Sequence, residues 1–291
     1  MSSELSVTYQ TPLQPRQLRL STVESCNARC LSCHRFSPRE RIRTPNKSLP
    51  MSDYLLLQIL KDVARWEVPL SEIIPVNYGE FFLRPDWEEI LSLISLYLPH
   101  TNLVIPTNGS LIKADKVKIL CSYHNLKIIN FSVNAYFDET YEAFMGLKKE
   151  NLEHIANLCK LIKTWKPDMT IRISMVHDPM YQSDLERDLF KEYWKQFGEV
   201  WIIPAASANR FGKKAEIVRK QPCRSIFSDM VVMADGKLTS CCFDSGIEID
   251  CGEYTGDLHK DWHNKELTEL RRIHNEHRRD KTELCKSCTF A

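Results

Sequence analysis

An alternation of two kinds of segment limits this chain more than any other feature. Short runs rich in Ile, Leu and Val read as strands: LRLSTVES (18–25), EIIPVNYGE (72–80), NLVIPTNG (102–109), LKIINFSVN (126–134), DMTIRISMVHD (168–178) and EVWIIPAAS (199–207). Between them lie amphipathic runs of helical period: MSDYLLLQILKDVARW (51–66, with Ser52 or Asp53 as N-cap), PDWEEILSLISLYL (85–98), KADKVKILCSY (113–123), NLEHIANLCKLIKTW (151–165) and SDLERDLFKEYWKQF (183–197). Such alternation predicts an α/β fold, a parallel sheet covered by helices. Six strands suit a partial barrel or an open doubly wound sheet. In either architecture functional groups gather at the carboxyl ends of the strands. A length of 291 residues holds one barrel-sized domain and a small appendage, with the boundary expected at 17–215 and 216–291.

Charge narrows the partners. Lys and Arg total 39 against 38 Asp and Glu, so no strong field draws the chain to nucleic acid or anionic lipid. The polar N-terminus MSSELSVTYQ is not a signal peptide, and the longest apolar stretches, such as LSLISLYL (91–98), are too short to cross a bilayer. A cytoplasmic protein with no nucleic-acid or membrane partner is expected.

In that compartment the 11 cysteines are expected to bind metal or do catalysis rather than form disulfides. Cys121 and Cys159 sit singly in helical registers and read as small buried hydrophobes. Cys26, Cys30 and Cys33 form C-x3-C-x2-C just after the first strand. Three thiolates can hold three irons of a four-iron, four-sulfur (4Fe–4S) cluster and leave the fourth open; zinc with His34 as a further ligand is the alternative. Near the C-terminus, Cys223 and Cys241 precede a C-x2-C pair, Cys285 and Cys288. These flank a hairpin turning at Asp235-Gly236 and a helix over 261–277, a unit too small to fold without a metal centre. The spacing fits a zinc ribbon as well as an iron–sulfur cluster, and Cys242 or Cys251 competes for a ligand position. The pairs His259/His263 and His274/His277 are surrounded by charged residues and read as a solvated helix face.

The cysteine loop and the segments after it resemble the radical S-adenosylmethionine (SAM) enzymes, whose hallmark is C-x3-C-x2-C after the first strand of a partial (β/α)6 barrel. NYGEFFLRPDWEEIL (77–91) is similar to the second-strand motif of that family, which places Gly79 and Glu80 at the SAM amino group, with Tyr78 where a glycine is more usual. PTNGSLI (106–112) is similar to the third-strand end, and FSVNAYFDETYEAFMG (131–146) puts Ser132 near SAM; Arg172 on the fifth strand is a weaker candidate for the same pocket. The family often carries an aromatic before the third cysteine. Here that residue is Ser32, and His34 or Phe36 is expected to supply the packing.

The C-terminal segment resembles the "twitch" module, a shortened SPASM domain with one auxiliary 4Fe–4S cluster. Residues 256–288 are similar to the end of the 2-deoxy-scyllo-inosamine dehydrogenases of this superfamily. The chain ends at Ala291, three residues past Cys288, so a second auxiliary cluster is not expected. The resemblance implies that SAM binds the open iron and is reductively cleaved to a 5′-deoxyadenosyl radical that takes hydrogen from the substrate. A flavodoxin or ferredoxin would supply the electron, and the auxiliary cluster could accept one during oxidation of an alcohol, aminocyclitol or sugar-like molecule. Peptide crosslinking or epimerisation is the competing enzyme reading, and a non-catalytic zinc-binding protein the reading from another class. About 16 residues precede the first strand, too few for a leader-peptide-binding domain, which favours a small substrate. Tyr78, Tyr136, His177 and Tyr181 are candidates for specificity, and His177, Asp178 and Arg172 for a base; none is singled out as catalytic.

Overall fold

The computed structural model describes residues 7–33, 50–205, 220–244, 246–286 and 288. His34 and Phe36, the expected packing partners of SAM, lie outside the described residues. The predicted alternation is present. Strands β1 (Gln17–Leu20), β2 (Glu72–Ile74), β3 (Asn102–Thr107), β4 (Leu126–Ser132), β5 (Thr170–His177) and β6 (Glu199–Pro204) pair in parallel and in chain order. They alternate with α1 (Asp53–Val63), α2 (Trp87–Tyr97), α3 (Val117–Ser122), α4 (Asp138–Met145), α5 (Glu150–Trp165) and α6 (Asp184–Trp194), α4 and α5 following β4 together.

Local chemistry explains these boundaries. Ser52 caps α1 by accepting the Leu55 amide at 3.2 Å, and Leu56, Ile59, Leu60 and Val63 then bury one face of the helix. Cys121 and Cys159 are buried in α3 and α5 as expected. One sheet face is apolar: Leu18, Leu20, Ile73, Ile105, Ile129, Phe131, Ile171 and Ile173 are essentially inaccessible beneath the helices. At roughly 25 cal/mol per Å² of buried apolar surface, this layer is the main source of stability.

The opposite face is polar. Register aligns Gln17 with Glu72 and Asp229, Asn130 with Arg172, and Ser132 with Ser174, so these side chains leave the sheet on the same side. A cavity described below is lined by Arg19 of β1 and by Ile203 of β6, five positions apart in the sheet order. Flat strands about 4.8 Å apart would separate them by roughly 24 Å. The sheet must therefore curl around its polar face, while no pairing joins β6 to β1, which is the geometry of an open partial barrel.

The hairpin expected in the tail is β7 (Asp229–Val232) and β8 (Leu238–Thr239), turning through Asp235-Gly236. It extends the barrel sheet: β7 pairs in parallel with the free edge of β1, matching Leu20 to Val232. Two helices follow, α7 (Leu258–Trp262) and α8 (Lys265–Asn275), where the sequence suggested one. The break comes at Asn264, whose side chain accepts the Leu267 amide and starts a new helix. Asp62 of α1 ties the module down by accepting the Leu258 amide at 2.6 Å.

Arg84 holds the entry to the barrel. Its guanidinium donates to the carbonyls of Thr22 (3.3 Å) and Met51 (2.9 Å) and pairs with Asp53 and Asp86. Arg84→Ala leaves both carbonyls without this donor and should cost ~2–3 kcal/mol in urea unfolding at pH 7. The Arg84 hydrogen bond holds the Asp86 carboxyl below its ordinary 3.8. The ion-pair share of the loss should therefore be full above about pH 4 and shrink as pH falls through the lowered value.

Candidate active site

The cysteine loop leaves the end of β1 and is pinned from two sides. Arg29 and Leu31 donate their amides to the carbonyls of Met145 (2.8 Å) and Phe144 (2.9 Å) at the end of α4, and Glu80 donates its amide to Ser25 at 2.9 Å. Gly79 makes the second contact possible. Its φ is +145°, and a Cβ there would stand 2.6 Å from the Val23 carbonyl oxygen and 2.9 Å from that of Ser25. Gly79→Ala must push the β2 loop off the cysteine loop. A cost of ~2–3 kcal/mol and at least tenfold weaker SAM binding by calorimetry are expected.

Cys26, Cys30 and Cys33 line one cavity of about 170 Å³ together with Asn77, Tyr78, Gly79, Glu80, Thr107, Asn108, Ser132 and Met145. Six of the seven predicted residues near the first cluster and SAM thus meet at one place. Arg172 does not. It lies lower on β5, pairs with Glu199 at 3.5 Å and stacks over Trp201 at 4.2 Å, outside the lining of this cavity. Two residues along a strand shift a side chain by roughly 6.6 Å, enough to remove Arg172 from the strand ends.

Glu80 organises the cavity. Its carboxylate accepts from the Phe82 amide (3.2 Å) and the Thr107 hydroxyl (2.8 Å) through one oxygen, and from the Asn108 amide (2.7 Å) through the other. Burial pushes its pKa up, and these donors pull it back. Two carboxylate oxygens offer about four lone-pair positions, so one remains on Oε2 for a further donor such as an amino group. Sequence reading noted PTNGSLI but missed the work of its side chains. Asn108 donates to Asn27 in the cysteine loop at 2.9 Å, and Asn27 donates to Ser110 at 2.8 Å.

Withdrawal from water and mutual repulsion push the Cys26 thiol up to about 11 and raise Cys30 further. Such a trio is held as thiolates only with a compensating cation. Among the described residues no three His, Cys, Asp or Glu converge as a single metal ion demands. The thiols instead face a shared space, which suits a cluster holding its ligands at separate corners.

The tail cysteines form a second group. Cys241 feels the charges of Cys242, Cys285 and Cys223, and Cys285 those of Cys223 and Cys288, with Arg279 favouring the thiolates of Cys223 and Cys285. Cys251 stands apart among Ser240, Asp244, Asp250 and Arg271. Cys242 also feels Cys223 but lines a different cavity, beside Arg19. His274, expected on a solvated face, is wholly buried: its Nδ1 accepts the Cys223 amide at 3.1 Å, and burial beside Arg279 lowers its pKa to about 4. His259 and His263 are exposed, as expected.

That second cavity, about 180 Å³, is lined by Arg19, Ser32, Asn77, Val176, Ile203, Pro204 and Phe243, with Cys33 of the first group and Cys242 beside the second. Tyr78 borders both cavities. The other specificity candidates do not. Tyr136 packs with Phe137 and Tyr193, and Tyr181 with Phe144. His177 leans toward Asp184 at 3.9 Å, and Asp178 shapes the turn to Met180 and Gln182.

The sequence pattern of the Radical SAM superfamily matches residues 20–190, more than half of the chain. The chain belongs to this superfamily. A second pattern, SPASM, described as an iron–sulfur cluster-binding domain, matches residues 223–289. The cofactors of this radical SAM enzyme are SAM and a 4Fe–4S cluster, with auxiliary iron–sulfur in the SPASM domain, and a non-catalytic zinc protein is set aside. Among curated relatives, the GTP 3′,8-cyclase of Aquifex aeolicus (strain VF5) is 25% identical over 80% of this chain and 83% of its own. The fold is that of BtrN solved with AdoMet and 2-DOIA (TM-score 0.60, 14% identity, 97% of this chain and 94% of that one). It is also that of native anSMEcpe with bound AdoMet (TM-score 0.66, 16% identity, 94% and 88%). No helix among the described residues is long and apolar enough to cross a membrane.

Proposed function

We propose that this radical SAM enzyme removes hydrogen from a small molecule and completes a two-electron oxidation. In this reading Cys26, Cys30 and Cys33 hold a 4Fe–4S cluster, Gly79, Glu80 and Ser132 receive SAM, and Cys223, Cys241, Cys285 and Cys288 hold one auxiliary 4Fe–4S cluster. When bound, these groups supply a 5′-deoxyadenosyl radical at the first site and an electron acceptor at the second. The observation that carries the proposal is the second cavity, which Cys33 borders at one side and Cys242, next to Cys241, at another. A substrate there lies between the two cysteine groups. Val176, Ile203, Pro204 and Phe243 shield it from water, and Tyr78 separates it from the SAM-side cavity.

An alcohol that loses its carbinol hydrogen atom, then a proton and an electron, becomes a carbonyl. The test is anaerobic turnover with reduced flavodoxin and alcohols deuterated at the carbinol carbon. Deuterium in 5′-deoxyadenosine together with a carbonyl product supports oxidation; deuterium transfer with an unoxidised product rejects it. The similarity to a GTP 3′,8-cyclase favours a second reading, cyclisation of GTP. GTP in the same assay separates the two by giving a cyclised nucleotide.

A further inference from the structure

We infer that the substrate carries a carboxylate or phosphate that Arg19 binds inside the second cavity, which makes it an acid rather than an amine. This rests on the oxidation reading only in taking that cavity as the substrate chamber. Arg19 lies on the polar face of β1, and its Nε is buried with no hydrogen-bond partner. Among the described residues its guanidinium takes part in no hydrogen bond or ion pair, although it lines the cavity. Arg84, by contrast, meets two carboxylates and two carbonyls, and Arg271 meets the carbonyls of Ile226 and Trp262 while its Nη2 is left without a hydrogen-bond partner.

The carboxylates on the same face do not pair with Arg19, whose charge is felt by the Cys242 thiol in the same cavity. Glu72 and Asp229 sit one register step lower, aligned with Gln17; Gln17 donates to Glu72 and Ser228 to Asp229. Neither acid lines the cavity. Leaving the Arg19 Nε buried and unsatisfied beside walls of Val176, Ile203, Pro204 and Phe243 costs stability that a bound anion would offset. The planar donor fork of arginine matches the paired oxygens of carboxylate or phosphate, and the apolar walls strengthen the contact by excluding water. An ammonium group in the same place would meet an uncompensated like charge.

The test is calorimetric binding to the reconstituted protein with SAM, using glucuronate, glucose 6-phosphate, glucosamine and glucose as probes. Binding of glucuronate or glucose 6-phosphate with at least tenfold preference over glucosamine and glucose is expected, and the acid that binds distinguishes carboxylate from phosphate. Arg19→Gln should weaken that binding by ~10–100-fold and Arg19→Lys by less, as loss of a charge-assisted hydrogen bond predicts. Iron content equal to the parent's shows that both variants are folded. Equal affinity for glucosamine, unchanged anion binding in Arg19→Gln, or no anion binding by the parent each overturns the inference. Turnover is not read here, so failure of the oxidation assay leaves this result standing, and the reverse also holds.

Discussion

Replacing Cys26, Cys30 and Cys33 together by alanine should lower iron from roughly eight to roughly four per chain after anaerobic reconstitution and abolish SAM cleavage. The three thiols border one cavity with Glu80, Tyr78 and Ser132, and no other cysteine lines it. Among the described residues no other thiol is therefore placed to substitute for the lost ligands. The surviving iron should belong to the tail group, whose thiols lie among Arg279, His274 and one another. Iron and sulfide analysis, with 5′-deoxyadenosine as the second readout, checks both halves. Retention of all the iron would reject these three residues as cluster ligands.

The second large effect separates three cysteines that spacing leaves in competition. Cys241→Ala should lose about four irons and all oxidised product while SAM cleavage persists. Cys242→Ala and Cys251→Ala should both keep full iron. Cys241 interacts with both Cys223 and Cys285, whereas Cys251 faces Asp244 and Asp250, and Cys242, though it also feels Cys223, opens onto the chamber with Arg19. Loss of iron in Cys242→Ala with retention in Cys241→Ala would exchange their roles.

What could be read before the structure follows from the range of each signal. Strand and helix periods are local, so the six barrel strands and their helices stand where the sequence put them, and a C-x3-C-x2-C trio closes its geometry within one loop. Arg172 shows the limit. Its place on β5 is legible, but whether it reaches the SAM-side cavity depends on depth along a curved sheet and on Glu199 and Trp201 of the next strand. His274 fails similarly: charged neighbours in sequence suggest water, yet α8 turns this residue onto the Cys223 backbone. Arg19 could be found only by its buried Nε without a hydrogen-bond partner, which no linear pattern records. The two-helix tail, by contrast, had a usable signal in Asn264, a strong cap residue placed just before a helical run.

The pairing of β7 with β1 has a further consequence. β1 carries the cysteine loop at its end, and its outer edge is filled by the strand that leads through the hairpin to Cys241 and Cys242. The tail is thus not a cassette hung on a finished barrel. Cut away, it would leave β1 with a bare ladder of amide and carbonyl groups, the kind of open edge that recruits other chains. Its presence also makes the span between the two cysteine groups a property of one hydrogen-bonded lattice, set by strand register rather than by a hinge.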